Sequence, residues 1–327
     1  MKISKYTKHL IMKKRLFVWS CFVMTFFSAC QHEENEMNQA DEWRMSIVAS
    51  IKGQKNALDS RYAGNDPSTV AFTEKDRIGV FVDAGAAQEW TYGTSGWSST
   101  KTVFWPDKTE NHTFCAFYPY AEATSTASVP MPDLLSQKGT VESISACDFL
   151  VATVTQSYGD DGVVSFQEEN AFTHVSSLLQ LTFKGDGDLR SSVLKKISVE
   201  GKGIVASSAY SFATEEVTLT DSESADLLEV PLTHEMAGKD ATFYFILNEK
   251  LDASSVVTLT VEYETDGTVY VACMTDFAGN VFTGGMRQRY TLSIKDSELS
   301  LMGSSISAWD EGGSLEDIII KGEEQSR

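Results

Sequence analysis

A hydrophobic period of two runs along most of this chain, and it leaves little room for any fold not built from strands. "SVVTLTVEY" sets Val257, Leu259, Val261 and Tyr263 on one face and Thr258, Thr260 and Glu262 on the other. "RYTLSIK" repeats the pattern with Tyr290, Leu292 and Ile294, "SLLQLTF" with Leu179, Leu181 and Phe183, and "RIGVFV" with Ile78, Val80 and Val82. "HTFCAFYPY" (112–120) and "DATFYFIL" (240–247) are apolar on both faces, as strands covered on two sides must be. Short alternating runs rich in β-branched and aromatic residues signal half-buried antiparallel strands. "GDDG" (159–162), "GDGD" (185–188) and "TDGT" (265–268) supply turns between them. No stretch sustains a helical period, and residues 130–145 have room for one short helix at most. The expectation is an all-β protein of antiparallel β-sandwiches.

Residues 45–162 are dense in aromatics (Trp90, Trp97, Trp105, Phe114, Phe117, Tyr118), whereas 163–327 are leaner and alternate more cleanly. Each stretch is long enough for a core of its own. No low-complexity linker separates them, so the boundary is set at the "GDDG" turn, giving two sandwiches end to end.

The N-terminal 44 residues have a different character. Six Lys or Arg and no Asp or Glu occupy residues 1–29, and Leu16 to Ala29 is an uncharged, mostly apolar run. A basic head, a short apolar run and small residues at the cut describe a secretory signal peptide. The run is too short for a transmembrane helix, which needs about 20 residues. "FSAC" (27–30) resembles the lipobox of bacterial lipoproteins, with Phe27 where Leu is usual, and this makes Cys30 the candidate lipid attachment. Acyl chains there would anchor the protein at about 0.8 kcal/mol per buried methylene. Residues 30–44, with Glu33, Glu34 and Glu36, read as an acidic tether.

Without residues 1–29 the chain carries 21 Lys plus Arg against 46 Asp plus Glu, a net charge of −25. Such a surface repels nucleic acid and anionic lipid, which excludes both as partners through direct charge contact. Cys115, Cys147 and Cys273 are odd in number and widely spaced, so all three are expected to be buried fillers rather than a disulfide framework.

Chemistry is sparse. His32, His112, His174 and His234 are isolated, with no second ligand at metal spacing, so no metal or other cofactor is expected. His174 opens a strand and reads as a capped edge histidine. "GTSG" (93–96) is not a nucleophile elbow, and the acids form no recognisable catalytic pair. No catalytic residue is assigned and the chain is not read as an enzyme. Trp90, Trp97 and Trp105 admit two readings: a sugar-stacking platform, or packing within the sandwich, which their apolar neighbours favour.

Several segments in fixed order resemble the fimbrillin family, the lipoprotein-derived pilins and pilus-associated subunits of Gram-negative anaerobes. They are "FTEKDRIGVFVDAG" (72–85), "VFWPD" (103–107), "FCAFYPY" (114–120), "ACDFLVATV" (146–154), "FTHVSSLLQLTF" (172–183), and "RQRYTLSIKDSELSL" (287–301) with "ISAW" (306–309). The resemblance implies two transthyretin-like sandwiches, export to the outer membrane and cell surface, and adhesion as part of a fimbrium. It also implies that an Arg-specific protease removes an N-terminal strand, and that another pilus subunit donates a strand into the groove. Arg44, before the strand-like run "MSIVASI", and Arg61, after it, are the candidate cleavage sites. Ile318, Ile319 and Ile320 form the candidate donor strand, unless they complete their own sandwich. A host protein or glycan is the ligand expected of a tip subunit. The competing function is a surface lipoprotein that binds glycan through exposed tryptophans and never polymerises.

Overall fold

The alternating runs form strands in the computed structural model, which describes residues 43–53, 71–159, 161–220, 226–249, 256–276 and 282–309. In chain order the first are β1 Ser46–Ala49, β2 Arg77–Val82, β3 Gln88–Gly93, β4 Gly96–Ser98, β5 His112–Tyr118 and β6 Val129–Pro130. A four-residue helix, α1 Val141–Ile144, precedes β7 Leu150–Gln156, β8 Val163–Phe166, β9 Thr173–His174 and β10 Ser177–Phe183. Next come β11 Val193–Glu200, β12 Ser208–Ser211, β13 Glu216–Leu219, β14 Leu227–Glu235 and β15 Ala241–Leu247. The last are β16 Thr258–Thr265, β17 Thr268–Thr275, β18 Met286–Lys295 and β19 Glu298–Ala308. The described residues form one compact unit.

A six-stranded sheet, β4-β3-β2-β5-β7-β9, is the centre of the first half. One face of β5 (Phe114, Ala116, Tyr118) joins the cluster that includes Ile47, Val164 and Phe166, so the pair β1-β8 covers that side. The other face (Cys115, Phe117) packs with Phe81, Val129 and Tyr210, and the small sheet β13-β12-β6 covers it. Two-sided cover is why "HTFCAFYPY" is apolar at nearly every position. It also corrects the expectation of one-sided alternation for "RIGVFV": residues 78–81 are all buried, and Gly79 lies so close under the Phe117 ring that a Cβ would stand 2.3 Å from it.

The second half is a sandwich of β15-β10-β18-β19 and β14-β11-β16-β17. Leu181, Phe183, Leu292 and Ile294 from one sheet share a core with Ile197, Val199, Val261 and Tyr263 from the other. The β16–β17 hairpin turns at Asp266 (φ 51°) and Gly267 (φ 77°), the left-handed pair that "DG" supplies. Among the described residues two strand pairings are parallel, β1 with β8 and β10 with β18, and each joins strands distant in sequence, as a parallel pair requires. Strands on either side of residue 162 share sheets: β1 with β8, β7 with β9, and β6 with β12.

Cys115 and Cys147 are buried, but Cys273 is exposed on the edge strand β17, contrary to the expectation of three buried thiols; all three are free. The period-two pattern explains it, since Ala272 takes the inward position and Cys273 the outward one. Among the described residues no helix is long and apolar enough to cross a membrane, a statement about helices alone.

Candidate functional site: the groove under the first strand

Residues 43–52 bond in succession to two backbone edges of opposite sense. On one side Met45 N–H donates to the Val103 carbonyl at 2.8 Å, and Trp105 N–H donates to the Trp43 carbonyl at 2.9 Å. On the other, β1 runs parallel to β8, with Ser46 opposite Val163, Ile47 opposite Val164 and Ala49 opposite Phe166. That ladder continues as Ser50 N–H donates to Phe166, Phe172 N–H to Ser50, and Lys52 N–H to Phe172, at 2.8–2.9 Å.

Side chains of the segment alternate as a half-buried strand should. Met45, Ile47 and Ile51 point inward at 2%, 5% and 1% exposure, whereas Val48 points outward at 38%. Burial of each inward side chain is worth about 1.5–3 kcal/mol. Beneath them lies an aromatic floor. Trp105 meets Phe114 edge-on at 4.9 Å and Tyr158 at 5.6 Å, and Phe172 meets Phe72 at 5.2 Å and Phe166 at 5.8 Å.

Gly162 joins the two edges. Its carbonyl accepts from Ser46 N–H at 3.2 Å and from the Trp105 indole N–H at 2.8 Å. Its φ is +67°, and a Cβ there would stand 2.9 Å from the Arg44 carbonyl. Glycine is therefore required on two counts, conformation and space.

This geometry corrects the sugar-platform reading. Trp90 and Trp105 are buried at 4% and 2% exposure, so neither offers a face to a ligand, and Trp97 is only half-exposed, packed on Phe72 at 5.0 Å and Tyr92 at 5.1 Å. Trp105 is instead a wall of the groove. Its sequence neighbourhood announced burial, but nothing local announced its bond to Gly162, fifty-seven residues on. The roles of Phe166, Phe172 and Gly162 in the groove are equally absent from the local sequence, because they depend on a pairing between distant segments.

Arg44 is exposed and bridges Phe104 in antiparallel fashion, within the paired segment. Cys30, Arg61, Ile318, Ile319 and Ile320 lie outside the described residues.

The remaining polar candidates have structural partners. His174 is buried, stacked on the Trp309 indole at 3.9 Å and bonded through Nδ1 to Asp148 at 2.8 Å. His112 lies between Asp83 (2.7 Å) and Asp107 (3.3 Å). Burial opposes its protonation, but the hydrogen bond and charge of Asp83 and the charge of Asp107 outweigh burial and raise its pKa. Asp188, in the "GDGD" turn, accepts from Ser297 N–H, Asp296 N–H and the Tyr263 hydroxyl; the backbone bond from Ser297 is the main cause of its lowered pKa. Among the described residues no group of three or more His, Cys, Asp or Glu could hold a metal ion.

Comparison with known proteins agrees with this architecture. Among curated proteins nothing matches. Among solved structures, a candidate cell adhesion protein from Bacteroides uniformis superposes with a TM-score of 0.55 at 17% identity, over 80% of this chain and 98% of that one. A second from Bacteroides ovatus gives 0.54 at 16% identity, over 81% and 97%. A third from Bacteroides fragilis gives 0.50 at 13%, over 85% and 100%. At these identities the likeness is one of fold. The model of the fimbrillin-like family matches residues 60–309, most of the chain, and the chain belongs to the fimbrillin-like family.

Proposed function

We propose that this protein is a pilus subunit or pilus accessory protein, exported as a lipoprotein on Cys30, whose first strand is exchanged for one from a neighbouring subunit. Membership of the fimbrillin-like family makes it a fimbrial or cell adhesion protein, with a structural role at the cell surface. What supports the exchange is the way residues 43–52 are held: Met45, Ile47 and Ile51 turn inward, residues 43–45 bond to the edge at 103–105, and residues 46–52 bond to β8 and Phe172. A cut after Arg61 would leave the strand attached by those contacts alone. A cut after Arg44 would leave the strand in the chain, so Arg61 is the cleavage site that serves this mechanism. Loss of the strand exposes unpaired N–H and C=O groups over an apolar floor, which an extended segment can replace bond for bond. Left unfilled, such edges aggregate. Repeated between successive pilus subunits, a head-to-tail contact of this kind stays open and extends a filament. Ile318, Ile319 and Ile320 are the segment this chain would offer a neighbour.

Intact-mass and N-terminal analysis of the protein from its native envelope tests the proposal. A chain that begins at Tyr62 without lipid supports it. Protein that always begins at an acylated Cys30 overturns strand removal, and a start at Met45 overturns it equally, because β1 stays in place.

A further inference from the structure

We propose that the groove under β1 takes as its replacement an extended, inwardly uncharged segment with large apolar side chains at the positions of Met45, Ile47 and Ile51, and not residues 310–327 of a second copy of this chain. The inference rests on the strand-exchange reading above and specifies the donor. Four inward positions at alternate residues define what fits: those of Met45, Ile47, Ala49 and Ile51. Met45, Ile47 and Ile51 are buried, and Ala49, half-covered, packs on the same cluster. Ile47 stands beside Val164, Ala49 beside Phe166 and Ile51 beside Phe172, all three of them fully buried. An ionised side chain turned inward there would lose its water and find an apolar floor with no partner for its charge.

Residues 310–327 read DEGGSLEDIIIKGEEQSR. Every run of seven residues within them sets an Asp, Glu, Lys or Arg at one of the four inward positions. In the direction β1 runs, three registers confine the charge to the half-covered third position. Each of these places Gly312, Gly313 or Gly322 at the first or second position and leaves that space empty. In the opposite direction the best register, 314–320, offers Ile, Ile, Glu and Ser, with Glu316 beside Phe166 and Ser314 where Ile51 now packs. The donor that fits is an extended segment with large apolar side chains at the first, second and fourth inward positions, a small one at the third, and no charge among them.

The test uses the chain cut after Arg61 and three synthetic peptides, with binding read by fluorescence anisotropy. One peptide is residues 43–53, the second is residues 314–324, and the third is 314–324 with Glu316→Met, Ile320→Ala and Gly322→Ile, which reproduces the inward pattern of β1. The first and third should bind, and the second should bind about 100-fold more weakly or not at all. Native 314–324 binding within tenfold of 43–53 overturns the inference, as does a ladder of oligomers formed by the cut wild-type protein alone. If neither 43–53 nor the redesigned peptide binds, the strand-exchange reading itself is overturned and the inference falls with it.

Discussion

Ile51 gives the sharpest test of how the first strand is held. Its side chain is 1% exposed, and its backbone is bridged in parallel to Phe172, itself fully buried. Ile51→Ala deletes most of that buried surface and leaves a cavity over the aromatic floor, a change that costs roughly 2–5 kcal/mol. One kcal/mol moves the melting point of a domain this large by about 2–4 °C. The intact variant should therefore melt roughly 4–20 °C lower in circular dichroism. Val48, on the outward face at 38% exposure, is the control, and Val48→Ala should fall within about 0.5 kcal/mol of wild type. The same free energy should reappear between molecules. A 43–53 peptide carrying Ile51→Ala should bind the chain cut after Arg61 about 30-fold or more weakly than the native peptide, at about 1.4 kcal/mol per decade. If Val48→Ala costs as much as Ile51→Ala in either assay, the inward and outward faces of the strand have been assigned wrongly.

Three further outcomes follow from the geometry. The pKa of His112 is raised in the fold, so its stabilising contribution is complete below the unfolded value of about 6.5 and is lost as pH rises through the native one. Between pH 5.5 and 8.5 the urea midpoint of wild type should fall relative to His112→Gln, and parallel midpoints would refute the assignment. Cys147 is pushed up to about 11 by burial and Cys115 is raised by burial, whereas Cys273 is exposed. A thiol reagent at pH 8 should therefore label Cys273 in the native protein and reach Cys115 and Cys147 only in denaturant. Gly162→Ala forces a left-handed residue against the Arg44 carbonyl and should cost roughly 1–3 kcal/mol, read as a lower urea midpoint. Gly159→Ala, at φ +66° with nothing within 4 Å, isolates the conformational part and should cost less.

What the sequence disclosed was local. Alternation in "SVVTLTVEY" names the inward face of β16, because a pleated strand buries every second residue against the opposing sheet. "TDGT" named its hairpin, because Asp and Gly tolerate positive φ. The short helix within 130–145 and the turn role of "GDDG" were readable for similar reasons. Pairings across long separations were not. Nothing near Ser46 indicates that its partner is Val163, and nothing near His174 indicates that Trp309 will stack on it. Composition alone counts Cys273 as buried, whereas the register of an edge strand turns it outward. Within the candidate site, therefore, the alternation of Met45, Ile47 and Ile51 could be read from the chain, and the walls that receive them could not.

The parallel pairing of β1 with β8 also bears on the order in which the protein folds. A hairpin such as β16–β17 closes a short loop, whereas pairing Ser46 with Val163 joins segments far apart in the sequence at a larger entropic cost of closure. The first strand should thus dock late, onto a floor already assembled, and in refolding followed by pulsed hydrogen exchange its amides should gain protection after those of β16 and β17. An element that arrives after the rest has formed is one the rest does not need in order to form. Late arrival on the folding pathway would be the kinetic counterpart of the strand removal proposed above.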